Sequence, residues 1–251
     1  MPVLLVQLSD LHIGADENGF DPVPHLEAVV EAVRRLPNRP DAVLVSGDLT
    51  DDGAEDGYRV AREMLERLDA PLHVLPGNHD DRGRLRTAFD LSGQGDEPVR
   101  YSADVGELRL VVFDSNVPGQ DPGRYDPEQL RWLGAELAAE PERPTLLALH
   151  HPPLVTGIEE WDGINLEPGQ LPLLAEVVAR HPQVRAIVGG HLHRIAASAL
   201  AGVPVLAAPS TYLQALPDFE TEGVELVPHP GFVLHVLRGG ELASQVQAVP
   251  L

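Results

Sequence analysis

An α/β fold built on two sheets is the architecture this sequence predicts, and three features predict it. Short apolar runs rich in branched residues stand at positions 3–8, 42–45, 72–75 and 146–149, which is how buried strands read. Segments of helical period alternate with them along most of the chain. The last strand-like runs, at 203–207, 231–237 and 241–249, follow one another without helices, which implies a second sheet.

In chain order, residues 3–8 are the first strand. A helix over 21–36 carries Leu26, Val29, Val30 and Val33 at helical spacing, with Pro22 and Pro24 near its start. Residues 42–45 are a strand that leads to Asp48. Residues 54–68 are a helix with Val60, Met64, Leu65 and Leu68 inward. A strand over 71–75 leads to Asn78, and a short helix follows over 81–91. Strands at 101–105 and 108–113 flank Gly106-Glu107 as a hairpin. Residues 127–139 are a helix, with Asp126 as cap and Pro127 at the first helical position. A strand over 145–149 leads to His150, a helix covers 169–180, and a strand over 184–188 leads to His191. The runs at 231–237 and 241–249 meet at Gly239-Gly240 as a closing hairpin.

Five segments that follow these strands end in metal-type ligands. They are Asp10-Leu11-His12, Gly47-Asp48, Gly77-Asn78-His79-Asp80, His150-His151-Pro152-Pro153 and Gly190-His191-Leu192-His193. Sites in open α/β sheets lie at the carboxyl ends of strands, so one fold can bring all five together. Oxygen donors (Asp10, Asp48, Asn78) and imidazoles (His12, His150, His191, His193) without a thiolate suit Mn, Fe, Zn or Co. Seven donors exceed one tetrahedral ion and suit two ions sharing a bridging carboxylate, about 3.5–4 Å apart. In extended chain, D-x-H and H-x-H put both side chains on one face. Gly47, Gly77 and Gly190 allow tight turns and close approach beside the ligands.

Composition narrows the classes. Nothing resembling a linker divides the 251 residues, and the ligands span Asp10 to His193, so a single domain is expected. The absence of cysteine removes disulfide and thiolate chemistry. The first residues lack a basic region and run straight into a ligand, so they read as a strand rather than a signal peptide. No apolar stretch reaches the ~20 residues of a membrane span, and the cytoplasm is the default compartment. The net charge is −21, and all 18 basic residues are Arg. That acidity argues against a nucleic-acid footprint. It leaves room for a small phosphate ester held by metal ions, whose charge dominates locally.

The blocks D-x-H, G-D, G-N-H-[DE], H and G-H-x-H, in this order, resemble the calcineurin-like metallophosphoesterase superfamily. Phe113-Asp114-Ser115, Pro118-Gly119 and Gln129-Leu130-Arg131-Trp132-Leu133 look like its bacterial class III cyclic nucleotide phosphodiesterase and glycerophosphodiesterase branch. So does His150-His151-Pro152-Pro153 followed by Gly157 and Asp162-Gly163-Ile164. Trp161 departs from that pattern, where Met is expected, and lies in an expected substrate loop. The resemblance implies a four-layer α/β/β/α sandwich with two mixed sheets. It implies that Asp10, His12 and His193 bind one metal, that Asn78, His150 and His191 bind the other, and that Asp48 bridges. Hydroxide between the metals would attack a phosphodiester, a 3′,5′-cyclic nucleotide first. Glycerophosphodiesters or phosphomonoesters are the alternative substrates. A catalytically idle binding subunit is the alternative from another class, and a homodimer is compatible with the family.

His79 would stabilise the phosphoryl charge or protonate the leaving oxygen. Asp80 would orient the His79 ring, cap the helix from Asp81, or both. His150 matches the family ligand, which leaves His151 to support it or to face substrate. Asp114 and Asn116 read as outer groups or as an Asx turn. The acidic run Asp51-Asp52 with Glu55-Asp56 reads as favouring a helix dipole. His25, His73, His181, His229 and His235 read as packing residues. Asp16-Glu17-Asn18-Gly19 reads as a solvated loop.

Overall fold

The computed structural model describes residues 1–16, 19–218, 220 and 223–251. Glu17 and Asn18 of the expected solvated loop lie outside the described residues. The elements run β1 (Val3–Leu8), α1 (Pro22–Arg34), β2 (Ala42–Ser46), α2 (Glu55–Glu66), β3 (Leu72–Leu75), α3 (Arg82–Phe89), β4 (Arg100–Val105) and β5 (Leu108–Phe113). Then come α4 (Pro127–Ala139), β6 (Thr145–Ala148), α5 (Glu159–Ile164), α6 (Gln170–Val178), β7 (Val184–Gly189), β8 (Ala196–Leu200) and β9 (Val203–Ala207). The chain closes with β10 (Gln214–Pro217), β11 (Val224–Val227), β12 (Gly231–Arg238) and β13 (Glu241–Ala248).

Two large mixed sheets result. One has the order β13-β12-β1-β2-β3, the other β4-β5-β6-β7-β9-β8. In the first, β1 runs parallel to β2, with Leu5 opposite Ala42, and antiparallel to β12, with Leu5 opposite His235. Strand alternation sorts the apolar side chains into layers. Val6, Leu8, Val43 and Val45 face Leu26, Val29 and Val33 of α1 and Tyr58 and Leu65 of α2. Val111, Phe113 and Leu147 face Leu133 and Leu137 of α4 and Leu174 of α6. Between the sheets, Leu5, Leu44 and Leu75 meet Leu110, Val112, Leu146 and Val188. This is the expected four-layer sandwich.

Three elements escaped the sequence reading. Strand β8 is mostly exposed and shows no apolar alternation. The ribbon β10–β11 forms a third, two-stranded sheet. The segment expected as a substrate loop forms helix α5, and Trp161 lies buried in it beneath the Arg194 guanidinium. Among the described residues, no helix is long and apolar enough to cross a membrane.

A buried polar chain crosses the sheet interface. His235 bonds Ser244 Oγ and Gln7 Oε1, at 2.8 and 2.9 Å. Gln7 donates in turn to Ser46 Oγ at 2.8 Å and to the Gly189 carbonyl at 3.0 Å, tying β1 and β2 to β7. His235, read as a packing residue, is fully enclosed and bonded through both ring nitrogens.

Asp114 closes the end of β5. Its carboxylate accepts from Arg82 Nε at 2.8 Å, from the Val99 N–H at 2.8 Å and from the Asn116 N–H at 2.7 Å. Both partners of the ion pair are buried. Asp114 is therefore an anchor for neighbouring loops, and the Asx turn is its own rather than that of Asn116. Asp114→Ala strands the Arg82 charge and is expected to cost about 3–5 kcal/mol. A urea titration reads this as a lowered midpoint; an unchanged midpoint would refute the anchoring role.

Candidate metal centre

The loops after β1 and β2 continue the pairing of their strands. Asp10 donates its N–H to the Gly47 carbonyl at 3.1 Å, and Leu11 and His12 donate theirs to the Asp48 carbonyl at 2.8 and 3.0 Å. The loop after β3 joins them, because the His79 N–H reaches Asp48 Oδ1 at 3.0 Å. The loop after β7 arrives from the other sheet, and the His191 N–H reaches Asp10 Oδ1 at 2.9 Å. All five ligand-bearing segments thus meet at one edge of the sandwich.

Extended backbone is not what aligns D-x-H and H-x-H, contrary to expectation. Asp10, His12, Asp48, His191 and His193 have φ of 52°, 46°, 50°, 67° and 47°. Left-handed backbone is uncommon outside glycine, and here it turns each side chain inward after its strand has ended. Close approach also explains one glycine: a Cβ at Gly77 would collide with the Asp48 carboxylate.

Each imidazole is held from behind. The His150 Nδ1–H donates to the Ser46 carbonyl at 2.8 Å. The His191 Nε2–H donates to the Ile164 carbonyl at 2.9 Å, and the His193 Nδ1–H to the Leu213 carbonyl at 3.1 Å. The His12 Nδ1–H donates to Asp51 Oδ1 at 2.8 Å. These bonds fix the tautomers and leave the other nitrogen of each ring facing inward, the usual arrangement behind a metal-bound histidine.

The inward atoms are acceptors that face acceptors. His12 Nε2 and His193 Nε2 are 2.9 Å apart. Asp48 Oδ2 lies 3.2 Å from His150 Nε2 and 3.6 Å from His12 Nε2. Asn78 Oδ1 lies 3.1 Å from His150 Nε2 and 3.0 Å from His191 Nδ1. Asp10 Oδ2 is buried with no hydrogen-bond partner among the described residues. Ligand atoms of Asp10, His12 and His193 lie within 4.8 Å of one another, as do those of Asp10, Asp48 and His150. Such a set demands positive charge, and metal ions fit it.

The titration behaviour agrees. Burial opposes a charged His150, but Asp48, Asp10 and the Ser46 carbonyl outweigh it and raise it to about 9. His12 is raised in the same contest by Asp51, Asp48 and Asp10. Both shifts are driven by the carboxylates, whose field favours positive charge at this spot.

The structure gives three neighbours specific partners. Asp80 does not touch the His79 ring, and Asp81 caps α3 through the Arg84 N–H at 2.8 Å. Asp80 instead accepts from the N–H groups of Gly77 (2.9 Å), Leu49 (3.2 Å) and Thr50 (3.3 Å), and from the Tyr58 hydroxyl (3.0 Å). It clamps the turn before Asn78 to the loop after Asp48, and burial beside Asp48 raises its pKa to about 6. His151 is fully buried, with Nε2 on the Asp121 carbonyl and Nδ1 on Ser115 Oγ, both at 2.8 Å. Burial, then the neighbouring His150, push it down to about 3, so neither ring nitrogen is free for substrate. Asp51, read as a helix-dipole charge, is what orients both His12 and His79, since the His79 Nδ1–H donates to its carbonyl at 2.8 Å. The acidic cluster hid this role, because nothing in the sequence distinguished Asp51 from Asp52.

Known proteins are similar to this chain. Residues 3–194 match the model of the calcineurin-like phosphoesterase family. A 3′,5′-cyclic adenosine monophosphate phosphodiesterase CpdA from Pseudomonas aeruginosa is 36% identical over 219 residues, 86% of this chain and 78% of that protein. A glycerophosphodiester phosphodiesterase GpdQ from Enterobacter lignolyticus is 34% identical, over 84% of this chain and 78% of its own. Among solved structures, a dimetal phosphatase from Danio rerio superposes with a TM-score of 0.74 at 17% identity, covering 98% of this chain and 96% of that one, a likeness of fold. The chain, with the five candidate-ligand loops at the edge of a four-layer sandwich, belongs to the calcineurin-like phosphoesterase family.

Proposed function

We propose that the protein is a two-metal phosphodiesterase acting on 3′,5′-cyclic nucleotides. The observation that carries this reading is the ring of inward acceptors around Asp48, each held by a bond from behind. Asp10, His12 and His193 would hold one ion, Asn78, His150 and His191 the other, with Asp48 shared. The mixed nitrogen and oxygen set suits Mn or Fe, with Zn and Co also accommodated. When bound, the pair supplies a nucleophilic oxygen at neutral pH and counter-charge for the phosphoryl group.

The chain's own residues supply the rest. The Asp51 carbonyl holds the Nδ1–H of His79, so Nε2 is the ring atom left to face the leaving oxygen, and the imidazolium form gives it its proton there. The His79 N–H on Asp48 Oδ1 sets the ring's position relative to the shared carboxylate. Diesters suit this site better than monoesters, because a diester carries one negative charge and surplus carboxylates repel a dianion more. The relative named for cyclic adenosine monophosphate supports the cyclic nucleotide. The relative named for glycerophosphodiesters supports a second reading with the same chemistry.

Protein reconstituted with Mn²⁺ and offered cyclic AMP, bis-p-nitrophenyl phosphate, p-nitrophenyl phosphate and glycerophosphocholine tests the substrate. Conversion of cyclic AMP to 5′-AMP, and diester turnover above monoester turnover, are expected. Diester turnover without cyclic AMP conversion would discard the cyclic nucleotide, and preference for glycerophosphocholine would install the second reading.

Elemental analysis of the reconstituted protein is expected to find two ions per chain. Asp48→Asn should lose metal and most activity together. Full occupancy by a single ion would contradict the shared-carboxylate arrangement.

His79 and Asp80 should fail differently when changed. His79→Ala is expected to keep its metal while turnover falls about 10²–10⁴-fold, with a smaller loss for p-nitrophenolate esters that need no protonation. Asp80→Asn points an amide at donors. It should weaken metal affinity about 10–100-fold, with a loss indifferent to the leaving group. Identical leaving-group profiles for the two variants would merge the roles separated here.

A further inference from the structure

The two flanks of the candidate centre differ in chemistry. On the His79 side lies a cavity of about 220 Å³ whose lining is mostly charged, with Asp52, Asp81, Arg82, Arg84 and Asp96 beside Gly53, Pro118 and Gly119. A second groove, of about 230 Å³, opens beside His191 and His193; Trp161, Ile164, Leu192, Ala215 and Val224 wall it, with Glu160 as its one carboxylate. Trp161 and Ile164 come from α5, Ala215 from β10 and Val224 from β11. Ile164 and Val224 are exposed at 40% and 43%, although both border a centre of carboxylates and imidazoles. The carbonyl of Ile164 also holds the His191 ring, so one short helix both walls the groove and braces His191.

A phosphodiester presents two arms, one that leaves and one that stays on phosphorus. If His79 protonates the leaving oxygen, that arm lies on the charged flank. The other substituent then falls toward His191 and His193, against the apolar wall. We infer that the groove of Trp161, Ile164, Ala215 and Val224 is a specificity subsite for a planar apolar group attached to the phosphoryl unit that stays. In a cyclic nucleotide that group is the base, which remains on the nucleoside phosphate product. A glycerol arm offers this wall nothing to bury. The inference rests on the diesterase reading and deepens it.

A pair of synthetic esters with one leaving group isolates the subsite. Phenyl p-nitrophenyl phosphate and methyl p-nitrophenyl phosphate both release p-nitrophenolate and differ only in the arm that stays. With Mn²⁺-loaded protein, kcat/KM for the phenyl ester is expected to exceed that for the methyl ester about tenfold, the scale of a partly buried apolar group. Val224→Asp places a carboxylate in the wall and should bring the ratio close to one. Val224→Leu should keep it. A ratio near one in the unaltered protein, or a ratio that survives Val224→Asp, would overturn the subsite while leaving the diesterase standing. No turnover of either ester would overturn the diesterase reading, and the subsite with it.

Discussion

Asp48 Oδ2 stands close to two imidazole nitrogens, His150 at 3.2 Å and His12 at 3.6 Å. Around it, buried acceptors point at one another, and the protein's own hydrogen-bond donors are spent on holding them so. Bringing such groups together without compensating charge is costly in a buried setting. Much of the neighbouring structure reads as the means of enforcing it. Carbonyls of Ser46, Ile164 and Leu213 pin the rings from behind, and Asp80 pins the backbone on both sides of the carboxylate. Loops from both sheets contribute, so the site exists only when the sandwich is closed.

The backbone bears part of the same burden. Five proposed ligands are non-glycine residues with φ between 46° and 67°. Each such residue costs on the order of 1–3 kcal/mol and persists only where its surroundings over-determine it. The surroundings here are the dry inter-sheet core of Leu5, Leu44, Leu110, Leu146 and Val188 and the buried chain from His235 through Gln7 to Ser46. Gln7 bridges the sheets directly beneath the loops that carry Asp10, Asp48 and His191. Packing energy in the core is thereby converted into positional accuracy at the edge.

The parts of this arrangement that were legible in the sequence share a property. Asp10, Asp48, Asn78, His150 and His191 each follow an apolar run, so periodicity located the strand ends and chemistry named the side chains. The sandwich layers were legible through the family resemblance and the change from alternating helices to consecutive strands. The illegible parts share the opposite property. The acceptors behind His150, His191 and His193 are backbone carbonyls, which any residue supplies. Asp51 and Asp80 sit among other acids, and only tertiary contacts distinguish them from Asp52 and Asp81. Strand β8, Ala-Ala-Ser-Ala-Leu, lacks the alternation that marks a strand because most of it faces solvent. The left-handed turns at the ligands run against residue preference, and a preference-based reading returns extended chain there.

The position of β12 between β13 and β1 bears on how the molecule is made. During synthesis β1 emerges well before its antiparallel partner, which begins only at Gly231. Until then β1 has β2 alone beside it, and an unpaired strand edge is a template for wrong associations. Domains form as units while the chain lengthens, and this sheet cannot be one until its final hairpin is available. His235, which completes the polar chain under the Asp10 and Asp48 loops, travels on that same late strand. The ribosome therefore releases this support of the candidate centre only after the side chains that depend on it have already emerged.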